Sequence, residues 1–119
     1  MATEKRTGGC HCGKVRYEVE IDLSQPAIEC NCSHCQIKGL ILLFVPKSAV
    51  TVLSGEEELS EYRFNTGNVK HLFCKQCGVQ VFGRGKKKDG TPTSGINVRT
   101  IDDIDLSQLK RIPYDGRSK

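Results

Sequence analysis

Three thiols fall within six residues at Cys30-Asn31-Cys32-Ser33-His34-Cys35, too many and too close for a disulfide pair. Two further clusters flank them, Cys10-His11-Cys12-Gly13 upstream and Cys74-Lys75-Gln76-Cys77-Gly78 downstream, and together the three clusters hold all seven cysteines of the chain. Metal ligation produces such an arrangement, because thiolates converge on Zn2+ at about 2.3 Å, usually four to a closed structural site. The outer clusters supply two thiols each, which suits one shared zinc bound by Cys10, Cys12, Cys74 and Cys77. Cys30, Cys32 and Cys35 then remain for a second zinc with an open fourth position, where ligand capture or chemistry takes place.

The alternative for the central cluster is a second closed site with a histidine as fourth ligand. His34 lies between two of the ligands, which disfavours it for the same ion; His11 belongs to the other cluster. His71, on the stretch before Cys74, stays open as a ligand or as a buried, hydrogen-bonded histidine.

A chain of 119 residues is one ordinary domain, and with 37% apolar residues and no Trp its core is modest, so metal would help to hold it. No apolar run is long enough to span a bilayer. Met1 to Thr7 lacks the apolar core of a signal peptide, so a cytoplasmic location with reduced thiols is expected. The formal charge of +4 shrinks to about +1 when seven thiolates and two zinc ions are counted, which weakens any general affinity for polyanions. The single basic run, Arg84-Gly85-Lys86-Lys87-Lys88, precedes the turn signal Asp89-Gly90 and reads as a solvated loop, so nucleic acid is not an expected partner.

Short strands dominate the rest. Lys14 to Ile21 alternates, with Val15, Tyr17, Val19 and Ile21 on one face and charged residues on the other. Ala27-Ile28-Glu29 leads into the central cluster, and Leu40 to Val45 reads as a buried strand bounded by Gly39 and Pro46. Lys47-Ser48-Ala49 is a turn or a single helical turn. Strands follow at Val50 to Leu53, Leu59 to Phe64, Val69 to Phe73 and Val79 to Phe82, with a hairpin-like turn at Asn65 to Asn68. Gly83 to Pro92 is expected to be a polar loop and Ser94 to Thr100 the last strand. Asp102 to Leu109 has the pattern of a short helix, and Pro113 and Gly116 close the chain in coil. The expectation is an all-β fold, a single domain over residues 1–119 made of short antiparallel sheets stapled by zinc.

An open zinc held by three thiolates carries about −1 formal charge and is a weak Lewis acid, but such a soft centre binds an incoming thiol and deprotonates it. A small thiol is the natural ligand. Lys38, Arg63, Lys70 and Arg99 are candidates to anchor carboxylates on it, the alternative being plain surface charge. His34, inside the ligand loop, is a candidate proton donor to the alkoxide formed when that thiol attacks an aldehyde, or else a hydrogen-bond partner of a ligand sulfur.

The chain resembles the glutathione-dependent formaldehyde-activating family, the CENP-V/GFA domain, through Gly9 to Tyr17, Cys30 to Cys35 with Gly39, Phe73 to Gly78 with Phe82, and the closing Ile96 to Asp102. The likeness covers about residues 8–106. It implies an all-β fold with a structural zinc at Cys10, Cys12, Cys74 and Cys77 and a catalytic zinc at Cys30, Cys32 and Cys35. It also implies a carbon–sulfur lyase activity that joins formaldehyde to glutathione as S-hydroxymethylglutathione, with glutathione as co-substrate. Where relatives often carry a basic residue after the last of these cysteines, this chain has Gln36, with Lys38 two positions on. The other reading is a non-catalytic zinc module that carries glutathione or binds a macromolecule; the absence of a long basic extension favours small molecules. The residues leave the aldehyde and the oligomeric state open.

Overall fold

The computed structural model describes residues 3–63, 69–87 and 89–114. The expected turn at Asn65 to Asn68, together with Phe64 and Gly116, lies outside them. Among the described residues, ten strands form two sheets. The smaller contains β1 (Glu4–Gly9), β2 (Arg16–Ile21) and β5 (Val50–Ser54), in the order β1-β2-β5. The larger contains β3 (Ala27–Cys30), β4 (Leu42–Pro46), β6 (Leu59–Tyr62), β7 (Lys70–Cys74), β8 (Gln80–Lys86), β9 (Pro92–Asn97) and β10 (Arg111–Tyr114). Its order is β10-β3-β4-β9-β8-β7-β6. One short helix, α1 (Ser33–Lys38), follows β3. No helix of the described residues is long and apolar enough to cross a membrane.

The alternation of β2 decides how the sheets meet. Val15, Tyr17, Val19 and Ile21 are all fully buried, which puts one face of the small sheet against the large one. Leu43 and Val45 of β4, Phe82 of β8 and Ile96 of β9 answer from the other side, in one hydrophobic cluster. Tyr17 meets Phe82 edge to face with ring centroids 5.7 Å apart, and its hydroxyl lies 2.6 Å from Thr100 Oγ1. Burying a Tyr requires such a polar partner. Arg16 pairs with Asp102, which also accepts from the Thr7 hydroxyl at 2.8 Å, so β1, β2 and the turn after β9 are tied at one corner.

Several elements depart from the sequence pattern. Gly83 to Lys86 is not loop: Gly83, Gly85 and Lys86 pair with Gly95, Thr93 and Pro92 of β9. Hydrogen bonds from a sheet neighbour override the weak intrinsic strand preference of glycine. The strand over Ser94 to Thr100 ends at Asn97, whose side chain accepts from the Arg99 N–H and starts a 3-10 turn over Val98–Thr100. It is not the last strand, because Arg111–Tyr114 pairs parallel with β3 and so breaks the purely antiparallel pattern. Pro113 is tolerated there because β10 is an edge strand. The short helix expected over Asp102 to Leu109 is reduced to a 3-10 turn at Leu106–Gln108. β4 is buried on one face only, since Phe44 is 52% exposed.

Gly55 supplies a stringent test of how the end of β5 closes on the start of β2. It adopts φ 84°, and a Cβ there would lie 2.2 Å from the Lys14 carbonyl oxygen. Gly90 shares the left-handed conformation at φ 89° but has open space around the same position. Gly90→Ala should cost about 1–2 kcal/mol, and Gly55→Ala should cost more, by roughly 2 kcal/mol or above, because backbone must shift. Urea unfolding of both variants measures the difference, and equal losses would contradict the close approach.

Candidate functional site

Two turns of like construction face each other at one end of the molecule. Cys10 and Cys12 lie in the β1–β2 turn; Cys74 ends β7 and Cys77 lies in the turn to β8. In each, the first cysteine donates its N–H to the residue five positions on, Cys10 to Val15 at 3.1 Å and Cys74 to Val79 at 3.0 Å. In each, a glycine at φ 82°, Gly13 or Gly78, reverses the chain. The left-handed backbone at that point is the reason for glycine. Backbone N–H groups of Val15 and Gln76 point at the Cys10 and Cys74 sulfurs, both at 3.4 Å.

The four Sγ atoms lie within 4.8 Å of one another, with Cys10–Cys12 at 3.6 Å and Cys12–Cys74 at 3.7 Å. A zinc at about 2.3 Å from four sulfurs in a tetrahedron sets sulfur–sulfur edges of about 3.8 Å. The spacing fits. The thiol energetics point the same way. Slight burial opposes the Cys77 thiolate, but the N–H groups of Val79 and Cys12 and the thiols of Cys10 and Cys74 bring its pKa down to about 6. At Cys12 the Lys14 N–H favours the thiolate, yet burial and the other three thiols push the pKa up to about 11. One charge in the cluster thus suppresses another, and a cation at its centre would let all four ionise.

The central cluster is built by a helix that the sequence reading did not foresee. Cys30 ends β3, Cys32 caps α1, and Cys35 lies in its first turn. The Cys32 sulfur accepts the Cys35 N–H at 3.4 Å, and the Cys30 sulfur accepts the Cys32 N–H at 3.4 Å. A thiol here takes the capping role of Ser or Asp. The three Sγ atoms also fall within 4.8 Å of one another, and among the described residues no His, Asp, Glu or further Cys joins that group. Burial pushes the Cys35 thiol up, with Cys32 and Cys30 pushing the same way. Burial also opposes the Cys32 thiolate, but the Cys35 and His34 N–H groups hold its pKa below the ordinary value. These three thiols could likewise hold a metal.

The helix is pinned from two sides. Lys38 donates to the Gln80 side chain at 2.8 Å, and the Gln80 carbonyl accepts from Asn97 at 2.8 Å. Arg99 donates to the Gly39 carbonyl at 3.1 Å, just past the helix end. Both cations are therefore engaged in structure, as is Arg63, which pairs with Glu61 at 3.1 Å. Lys70 is exposed on β7. Neither these four residues nor His34 line the cavity that opens beside Cys30 and Cys35.

That cavity measures about 420 Å3, and the histidine in its wall is His71. His34 borders a second, more open hollow of about 490 Å3 with Lys38 and Tyr62, its buried ring 4.0 Å from that of His71 and stacked on Tyr62 at 5.7 Å. Burial, with His71 and Lys38 nearby, pushes the His34 pKa down to about 4, and burial with Lys38 lowers His71 as well. Both shifts favour the neutral imidazole. The cations bordering the cavity are Arg84 and Lys86, in the stretch read from sequence as loop. Extending the strand pattern of Val79 to Phe82 through the glycines would have found them.

The two clusters differ in the number of thiols that could hold an ion, four against three. Cys77→Ser is expected to remove one zinc equivalent and most of the stability, since a structural zinc supplies on the order of 10 kcal/mol in small domains. Cys32→Ser should remove the other equivalent and leave a cooperatively folded chain. Zinc analysis with thermal melts decides it; wild-type melting and zinc content in Cys77→Ser would exclude the outer assignment.

Comparison with known proteins agrees with this geometry. A sequence profile described as glutathione-dependent formaldehyde-activating enzyme matches residues 5–112. A curated protein of Penicillium rubens, provisionally named a glutathione-dependent formaldehyde-activating enzyme, is 32% identical over 83 residues, 66% of this chain and 43% of its own length. The chain thus spans less than half of that relative. A crystal structure of a Rhodobacter sphaeroides protein superposes with a TM-score of 0.78 at 32% identity, over 90% of this chain and 97% of that one. The chain belongs to the glutathione-dependent formaldehyde-activating enzyme family.

Proposed function

We propose that this chain is a zinc-dependent carbon–sulfur lyase-type enzyme that makes or breaks the adduct of glutathione with formaldehyde or a related aldehyde. The observation that carries the reading is the meeting of three thiols, without a fourth side-chain ligand among the described residues, at the edge of a cavity of about 420 Å3. Cys30, Cys32 and Cys35 are the residues to hold the reactive zinc; Cys10, Cys12, Cys74 and Cys77 would hold a structural one. A zinc in the three-thiol site would supply a soft cation that favours the thiolate of a small thiol at neutral pH. The whole reads as one zinc domain over residues 1–119, working where thiols stay reduced, as in the cytoplasm.

The reaction is an addition. A bond forms between the thiol sulfur and the carbonyl carbon, the carbonyl π pair moves to oxygen, and the thiol proton ends on that oxygen. The reverse breaks the carbon–sulfur bond. Cys30 and Cys35 define one wall, so the two reactants meet beside them, and fixing two reactants together removes several kcal/mol of entropic barrier. His71 lines the same cavity, and its ring can take up the thiol proton and then deliver it to the developing alkoxide. His34, packed against His71, holds that ring in place.

Adduct formation and breakdown measured against the uncatalysed background test the reading. Cys32→Ser should lose the rate. His71→Ala should lower it by about a hundred-fold, and His34→Gln by less. A wild-type rate no faster than background, with zinc-dependent glutathione binding retained, would leave a carrier and remove the enzyme. An unchanged rate in His71→Ala would remove the histidine from the mechanism.

A further inference from the structure

The cavity is far larger than formaldehyde needs, and its lining is of the wrong chemistry for the charged ends of a tripeptide thiol. At about 420 Å3 it lies in the range of pockets that enclose whole organic ligands, whereas formaldehyde has two non-hydrogen atoms. Its walls are apolar: Ile28, Leu42, Phe44, Val69 and Tyr114. Phe44 is 52% exposed, Val69 44% and Tyr114 46%, although all three sit within or beside regular strands. Of the two bordering cations, Arg84 is already engaged by Glu56 at 3.3 Å, which leaves Lys86 at the rim.

The floor is flat for a specific reason. His71 pairs with Gly83, Gly83 with Gly95, and Gly95 with Phe44, so one row crosses four strands with two glycines in the middle. Three strand spacings of about 4.8 Å separate the outer members, a width of about 14 Å. The Phe44 ring leans over Gly95, where a Cβ would come within 2.9 Å of it. Val69 leans in from the opposite side, 3.5 Å from the Cβ position of Gly85. Gly83 lies between the aromatic wall and the aliphatic one, without a side chain of its own and with Val69 3.8 Å from its Cβ position. Cys30 and Cys35 line the same space.

We propose that the carbonyl partner carries a flat apolar group, an aryl or conjugated substituent, which lies on Gly83 between Phe44 and Val69, while the charged thiol component extends past Lys86 to solvent. The proposal rests on the reading that thiol–carbonyl adducts are handled at Cys30, Cys32 and Cys35. Gly83 is the specificity-determining position, because any side chain there occupies the space of the flat group.

S-methylglutathione and S-benzylglutathione report on the cavity without turnover, since both are stable thioethers that differ only in the flat group. Calorimetry with the zinc-loaded full chain should show the benzyl compound binding about ten-fold tighter or more, the usual worth of added apolar contact in a pocket. Gly83→Val should abolish the preference and leave S-methylglutathione binding unchanged. The position accepts a side chain, since its Cβ would meet nothing closer than the Lys70 carbonyl at 3.4 Å, and valine suits a strand. Should that variant misfold, Phe44→Ala removes one wall and should cut the preference severalfold. Equal affinities in wild type, or a benzyl preference that survives both substitutions, would overturn the proposal. A benzyl preference without turnover of formaldehyde or benzaldehyde above background would uphold it and overturn the enzymatic reading instead. Turnover of formaldehyde with equal affinities for the two thioethers would do the reverse.

Discussion

Sulfur atoms brought within 4.8 Å of one another cannot all carry charge unless a cation stands between them. This constraint applies at two places in the chain, and much of the architecture serves it. At the outer cluster, two turns from opposite sheets present four sulfurs, with backbone N–H groups aimed at two of them. The turns are alike in hydrogen bonding and in their left-handed glycines, although one spaces its cysteines by one residue and the other by two. Joining them ties the small sheet to the large one close to the Arg16–Asp102 corner, since Arg16 opens β2 directly after the Cys10/Cys12 turn.

The large sheet divides its work by face. Leu43, Val45, Phe82 and Ile96 bury one side against Tyr17, Val19 and Ile21. The opposite side carries Phe44, His71, Gly83 and Gly95, and it opens to the cavity. Period-two alternation gives both roles to the same strands at once. The three-thiol cluster sits where β3 ends, and α1 brings its third cysteine to the cavity wall. A chain of hydrogen bonds from Lys38 through Gln80 to Asn97, and from Asn97 through Thr100 to Tyr17, links that helix to the core. Such satisfied buried networks rigidify what they connect, which is what a site of fixed geometry requires.

Much of this was legible in the residues. The alternation over Val15 to Ile21 marks the core-facing strand, because a side chain every second residue must share a face whatever the sheet's partners are. The cysteine spacings mark both thiol clusters, because ligands one to three residues apart converge in any tight turn. The turn glycines at 13 and 78 follow from the same local geometry. The motifs also carry the family, which the profile match over residues 5–112 bears out.

What lay beyond the sequence depends on which strands become neighbours. Gly83, Arg84 and Gly85 read as loop because their strand character comes from pairing with neighbours, β9 along all three and β7 at Gly83 and Arg84, and not from their own side chains. Pro113 reads as coil because only an edge position beside β3 makes room for it in a sheet. The histidine in the cavity wall is His71 and not His34, since β7 carries the first onto the open face while the first turn of α1 drives the second into burial against Tyr62. Local spacing determined which thiols sit together within each turn and so can share a metal, while the meeting of the Cys10/Cys12 turn with the Cys74/Cys77 turn came from the packing of the two sheets. The cavity beside them was decided only in the tertiary structure, because its floor and walls are side chains, and absent side chains, brought into register from strands remote in the chain.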